Sequence, residues 1–266
     1  MNRKDLFKDM LEHVKTTDIK FIGMGNPLAN ILIIGKEASI DKLNKEQIER
    51  EIDNNISDWV TDIDKQQSEV PYRGIFSPLY PYKGQENKID PSVKNKKLTY
   101  DNGTSPTWFN YQKLKDAIFP SEKKSEIIDF QKTCFITELN ENTSRKSDQQ
   151  DKKLRKESVE KRLKILFSSD YMQSFPVIIL ACGGYVKTLN IDIENRFNVT
   201  NIKKDWVLCG KENNKEQWYV VYQNKPNNLP KIIIHTWQFG GTLTDKYLSK
   251  IADEVKDFCA KNNINL

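Results

Sequence analysis

Four short apolar runs punctuate this chain, and polar, helix-patterned stretches separate them. The first is Ile31 to Ile34, unbroken and four residues long, which marks a strand buried on both faces. Gly35 follows, where the chain turns without a Cβ in the way, and then Lys36, Glu37, Ala38 and Ser39 bring two charges and a hydroxyl to the strand end. The second run is about Thr133 to Leu139 and ends among Thr137, Glu138 and Asn140. The third is Pro176 to Ala181, closed by Cys182, Gly183 and Gly184. The fourth is Ile232 to Ile234, which delivers His235 to its carboxyl end.

Between these runs the apolar residues recur at helical spacing. Leu6, Met10, Leu11 and Val14 predict an amphipathic helix over 3–16, with His13 on its surface. Leu43, Ile48, Ile52, Ile56, Trp59 and Ile63 predict one helix from Ile40 to about Gln66. Trp108, Tyr111, Leu114, Ile118 and Phe119 predict another, stopped by Pro120. A short helix is expected near Tyr185 to Leu189, and a last one over Thr242 to Ala260. Trp206 to Gly210 and Gln217 to Tyr222 read as a hairpin. Gly23 and Gly25 precede a strand instead of following one, so they do not form a dinucleotide-binding loop. Strands alternating with helices predict an α/β fold of three layers, α/β/α, around a central four-stranded, mainly parallel sheet. No repeat or linker divides residues 1–266, so a single domain is expected.

Two polar stretches stand apart. Residues 69–106 form a long segment rich in Pro, Gly and aromatic side chains, including Tyr72, Phe76, Tyr80 and Tyr82. Long loops of this kind are functional or disordered, and the aromatics argue for order. Residues Glu141 to Lys164 are densely charged with mixed sign, the pattern of a solvated loop and helix face. The alternative is a phosphate-contacting arm through Arg145 and Lys146.

Composition narrows the classes further. The chain has 266 residues, 37% of them hydrophobic, and a formal net charge of +5, a mild basic bias compatible with nucleic acid. No apolar run approaches a membrane span, and the charged N-terminal residues lack the apolar region of a signal peptide, so a cytoplasmic location is expected. Cys134, Cys182, Cys209 and Cys259 form no CxxC pair and read as reduced thiols, not as metal or iron–sulfur ligands. In a parallel sheet the four strand ends face the same way, and ligands bind there.

This arrangement resembles the uracil-DNA glycosylase superfamily over about Gly25 to Val255. The turn Gly35-Lys36-Glu37-Ala38-Ser39 resembles the family's first motif, and His235-Thr236-Trp237-Gln238-Phe239-Gly240 resembles its last. The departures are Ala38 and Thr236 where prolines are usual, a displaced strand-two Asn for which Glu138 or Asn140 must serve, and no iron–sulfur cysteines. The resemblance implies hydrolysis of the N-glycosidic bond of a base flipped out of DNA. Glu37 would orient water or stabilise the oxocarbenium ion, and His235 would stabilise the departing base; a structural His235 bonded to nearby backbone is the alternative. Glu138 or Asn140 would read the base edge. Tyr80, Tyr82 or Trp108 would stack on the base. Phe239, with Trp237 beside it, would enter the base stack or pack under the last helix. Lys36 and Ser39 would contact phosphate. No cofactor is required, the partner would be DNA, single- or double-stranded, and a monomer is expected. A protein that binds nucleic acid or a partner without catalysis, and a hydrolase of a smaller N-glycoside, fit the same residues.

Overall fold

The computed structural model describes residues 2–40, 42–65, 106–121, 128–144, 150–202, 207–212, 215–224, 229–241 and 243–266. The chain opens with α1 (Arg3–Val14), capped by the Asn2 side chain and buried through Phe7, Met10, Leu11 and Val14. Strands β1 (Met24–Gly25) and β2 (Ile31–Gly35) follow. The single helix expected from Ile40 to Gln66 is instead α2 (Lys45–Ile48), a wide π turn over Glu49–Asp53 and α3 (Asn55–Lys65). A long-range contact explains the break. The fully buried Asn55 side chain accepts from the Ile22 amide and donates to the Gly23 carbonyl, each at 3.0 Å, satisfying the backbone just before it enters β1.

Then come α4 (Pro106–Ile118), β3 (Cys134–Glu138), α5 (Lys152–Ile165), α6 (Asp170–Gln173), β4 (Val177–Leu180), α7 (Tyr185–Thr188) and α8 (Ile193–Phe197). The chain ends with β5 (Val199–Asn201), β6 (Val207–Glu212), β7 (Lys215–Asn224), β8 (Ile232–Thr236) and α9 (Asp245–Lys261). The sheet has eight strands in the order β1-β3-β2-β4-β8-β7-β5, with β6 on β7, so the expected count of four is too small. The four predicted strands are its parallel centre: β3, β2, β4 and β8 pair in parallel with Ile33 beside Ile136 and Ile179, and Ile179 beside Ile234. The flanks are antiparallel, β1 on β3 at one side and the β6–β7 hairpin with β5 at the other.

Alternation explains why these strands read as unbroken apolar runs. Leu32, Ile34, Phe135, Ile178, Leu180 and Ile233 pack on one face with residues of α1, α3, α5 and α6. Ile31, Ile33, Ile136, Val177, Ile179, Ile232 and Ile234 pack on the other with residues of α4 and α9. Helices therefore cover both faces, and the parallel strands present Gly35, Glu138 and His235 at one end of the sheet. No helix among the described residues is long and apolar enough to cross a membrane.

The charged stretch leading into α5 is not solvated throughout. Arg155, Ser158, Val159, Arg162 and Leu163 line a buried face of the helix. Arg162, fully buried, donates from Nε to the Glu138 carbonyl at 3.0 Å and from Nη2 to Thr137 Oγ1 at 2.9 Å. Its Nη1 meets the Phe21 carbonyl and, at 3.4 Å, the Glu141 carboxylate, which also pairs with Lys161 at 2.5 Å.

Candidate functional site

The site is assembled where β2 and β3 end side by side. Gly35 and Glu138 are register partners, and the Glu138 side chain folds over the glycine. A Cβ on Gly35 would overlap that carboxyl, 2.9 Å from its Cδ, so the glycine is the space the carboxyl occupies. The backbones stay together past the strands: Leu139 donates to the Gly35 carbonyl at 2.9 Å and Asn140 to the Lys36 carbonyl at 2.8 Å. Glu138 is part-exposed as a residue, but its Oε2 is buried and has no hydrogen-bond partner among the described residues. Burial first, and then the nearby Glu37 charge, push its carboxyl up to about 8, against the pull of Arg162. Glu138 is thus mostly protonated at neutral pH, with one O–H to donate and oxygen lone pairs to accept.

Glu37 comes from the loop after β2, and Tyr185, at the start of α7, donates its hydroxyl to Glu37 Oε2. Two cations bear on the same ring: Lys36 Nζ lies 4.9 Å and the Arg155 guanidinium carbon 5.2 Å from the Tyr185 centroid. Burial lowers the Lys36 pKa, Glu37 and Cys182 oppose that, and Arg155 adds to it.

The end of β8 is built differently. His235 is buried, and its Nε2–H donates to the Gly183 carbonyl at 2.9 Å, which fixes the tautomer. Trp218 stands edge-on to its ring at 4.9 Å. Burial depresses the His235 pKa to about 4, with the Gly183 bond opposing, so the imidazole is neutral. The Gly183 amide donates in turn to the Thr236 carbonyl at 3.0 Å. Gly183 itself has a φ of +54°, a left-handed value suited to glycine, and a Cβ there would lie 3.6 Å from Lys36 Cε. The turn Cys182–Tyr185 therefore joins the two halves, holding His235 through Gly183 and Glu37 through Tyr185.

Other candidate residues separate from this site. Asn140 is fully buried and locally engaged: its Nδ2 donates to Gln150 Oε1 at 2.6 Å and its Oδ1 accepts from the Asn142 amide at 3.0 Å. It stabilises its loop, whereas Glu138 lies at the strand end over Gly35. Phe239 is 1% exposed, packed 5.5 Å from the Tyr111 ring and held from behind by Asn110, whose Nδ2 donates to its carbonyl at 2.7 Å. It is a core residue here, not a wedge aimed at a base stack, because α4 and α9 enclose it. Trp237 is half-buried on the same face, edge-on to Trp218 at 6.1 Å. Trp108 packs edge-on against Phe130 at 6.1 Å. Ser39 is exposed beyond Glu37. Tyr80, Tyr82, Arg145 and Lys146 lie outside the described residues.

Sequence reading missed Tyr185, Arg155 and Arg162. Arg155, Ser158 and Arg162 recur at helical spacing alongside Val159 and Leu163, a signal masked by their charge. Tyr185 follows two glycines at a strand end, but its link to Glu37 spans 148 residues and has no local signature. Among the described residues no group of three or more His, Cys, Asp or Glu is placed to hold a metal ion, and Cys134, Cys182 and Cys259 are buried free thiols. No model of a known protein family matches the chain, and no curated protein is significantly similar to it.

Proposed function

We propose that this chain is a DNA glycosylase-like hydrolase on a uracil-DNA glycosylase-like scaffold, cleaving the N-glycosidic bond of a flipped base. The observation that carries the reading is the pair of carboxyl groups at neighbouring strand ends: Glu37 tethered by Tyr185, and Glu138, with a buried oxygen and mostly protonated, over Gly35. Environments that separate two carboxyl groups in this way divide acid from base work. Glu37 stabilises positive charge on the sugar and orients the water that adds to C1′. The C1′–N bond breaks, its electron pair leaves with the base, and the Glu138 O–H meets the oxygen on which negative charge collects. The proton released by water passes to Glu37. A neutral carboxyl also presents a donor beside an acceptor, as an amide does, so Glu138 suits a base edge with adjacent carbonyl and N–H groups. His235 takes a different role from the one its sequence position implies. With Nε2–H committed to Gly183, it holds the turn that carries Tyr185, and so positions Glu37 indirectly.

The test is an excision assay on labelled oligonucleotides carrying uracil, hypoxanthine, xanthine or a modified pyrimidine, single- and double-stranded. The expected result is excision of one base class, reduced by about 10²–10⁴-fold in Glu37→Gln. Excision of none of these bases, or an unaffected Glu37→Gln, contradicts the reading. The committed His235 favours one second reading, a nucleic-acid-binding protein without catalysis. Salt-sensitive oligonucleotide binding with no excision would support it.

A further inference from the structure

Arg162 is fully buried, and the bond-breaking step does not use it. Burying a guanidinium opposes folding, and apolar side chains of similar volume would hold α5 to the sheet at less cost. What Arg162 holds is the end of β3. Nε donates to the Glu138 carbonyl at 3.0 Å and Nη2 to Thr137 Oγ1 at 2.9 Å, so one rigid fork meets the last two residues of the strand. Side chains alternate across a sheet. Phe135 packs with residues of α5 and Ile136 with residues of α4, which puts Thr137 on the α5 face and Glu138 on the α4 face. The guanidinium therefore grips from one face the residue whose carboxyl serves the other. That carboxyl has a buried Oε2 with no hydrogen-bond partner among the described residues, so its placement over Gly35 depends on the backbone that carries it.

The charges around Arg162 do not cancel. Its Nη1 lies 3.4 Å from Glu141, but Glu141 also pairs with Lys161 at 2.5 Å. Two cations share one carboxylate, and the cluster is net positive. Glu138 thus interacts with a cationic cluster from α5 and with the Glu37 carboxylate from the loop after β2. Tyr111 of α4 and Cys182 after β4 also interact with it; burial pushes both of these up, so both are neutral. We propose that Arg162 is a positioning residue for Glu138: it fixes the strand end that aims the carboxyl, and its charge, shared with Lys161 over Glu141, opposes that of Glu37 there. This rests on Glu138 as the group that meets the departing base, but its first test needs no turnover.

The Glu138 titration would be followed in the full chain labelled with ¹³C-glutamate. Glu141→Gln removes a negative charge from the cluster, and its amide oxygen can still accept from the Lys20 amide, as the carboxylate does at 3.0 Å. The Glu138 midpoint should then fall by about half a pH unit or more. Arg162→Lys keeps the charge and loses the fork. Its midpoint should stay closer to wild type than that of Glu141→Gln, while excision loses about tenfold or more in kcat with KM little changed. Arg162→Met loses both charge and fork, and its midpoint should rise. A Glu138 midpoint that Glu141→Gln leaves in place, or excision by Arg162→Lys at the wild-type rate, would overturn the assignment, and Glu141→Gln decides it if neither Arg162 variant folds. Midpoints that move as expected in a protein that excises no base defeat the hydrolase reading alone; excision with an unmoved midpoint defeats the role of Arg162 alone.

Discussion

The two ends of the edge at which the parallel strands finish make opposite use of their polar groups. At β8, His235 is buried, neutral and bonded to Gly183, and Phe239 behind it is enclosed by α4 and α9. At β2 and β3, Glu138 keeps a buried oxygen without a partner among the described residues, and Glu37 adjoins the Tyr185 ring that two cations face. The first arrangement is what a stable interior looks like; the second holds an unmet hydrogen-bonding demand at a part-exposed position. Native structures satisfy nearly all buried polar atoms, and the exceptions call for an explanation. The proposed reading therefore assigns the chemistry to the carboxyl groups and the architecture to the histidine, although His235 has the more conspicuous position in the sequence.

The largest effect that tests this division is on activity. Glu37→Gln should lower excision by about 10²–10⁴-fold, while His235→Gln, whose amide can still donate toward Gly183, should remain within about tenfold of wild type in the same assay. The reverse ranking would return the chemistry to β8. Next is Arg162→Met. It strips the Thr137 hydroxyl and the Phe21 and Glu138 carbonyls of their donor and weakens the hold on Glu141, so a loss of about 3–5 kcal/mol is expected in urea unfolding. A loss under about 1 kcal/mol would show that the cluster contributes little.

The third effect is the pH dependence of stability, and the two regions contribute with opposite signs. Glu138, raised to about 8, binds its proton more tightly in the folded state. Its stabilising contribution is complete below the ordinary glutamate range and is lost as pH rises toward 8. His235, depressed to about 4, contributes stability above its ordinary value of about 6.5 that is lost as pH falls toward 4. Unfolding of Glu138→Gln should therefore lack the alkaline decline, and that of His235→Gln should lack part of the acid decline. The smallest effect is Gly35→Ala. The glycine does not have a left-handed φ, and the atoms its methyl would meet are the movable end of Glu138. Stability should fall by only about 1 kcal/mol, the cost of an off-rotamer side chain, while excision drops because the carboxyl is displaced. Unchanged excision would show that the position of Glu138 over Gly35 is immaterial.

The parallel centre of the fold was legible because burial on both faces leaves each strand an uninterrupted apolar run. The edges were not: β1 and β5 have two and three residues, too few to establish a period. The break before α3 was hidden because Asn55 leaves the helical pattern for partners 32 and 33 residues away. Glu37, Glu138 and His235 were legible as candidates from their places after apolar runs. Their division of labour was not, since one hydrogen bond to Gly183 separates a committed histidine from an available one, and no spacing records it. Phe239 shows the same limit, because an aromatic in a strand-end loop has the same sequence whether it packs inward or outward.

The most direct test of the carboxyl pair is to titrate Glu138 itself, by following side-chain carboxyl carbons in ¹³C-glutamate-labelled protein from pH 4 to 10, with Glu138→Gln assigning the resonance. A midpoint near 8 is predicted, lower than that if the Glu37 charge is removed by Glu37→Gln. A midpoint in the ordinary glutamate range, about 4.3, would mean that Glu138 is charged at neutral pH, and the division of acid from base work proposed for these strand ends would be wrong.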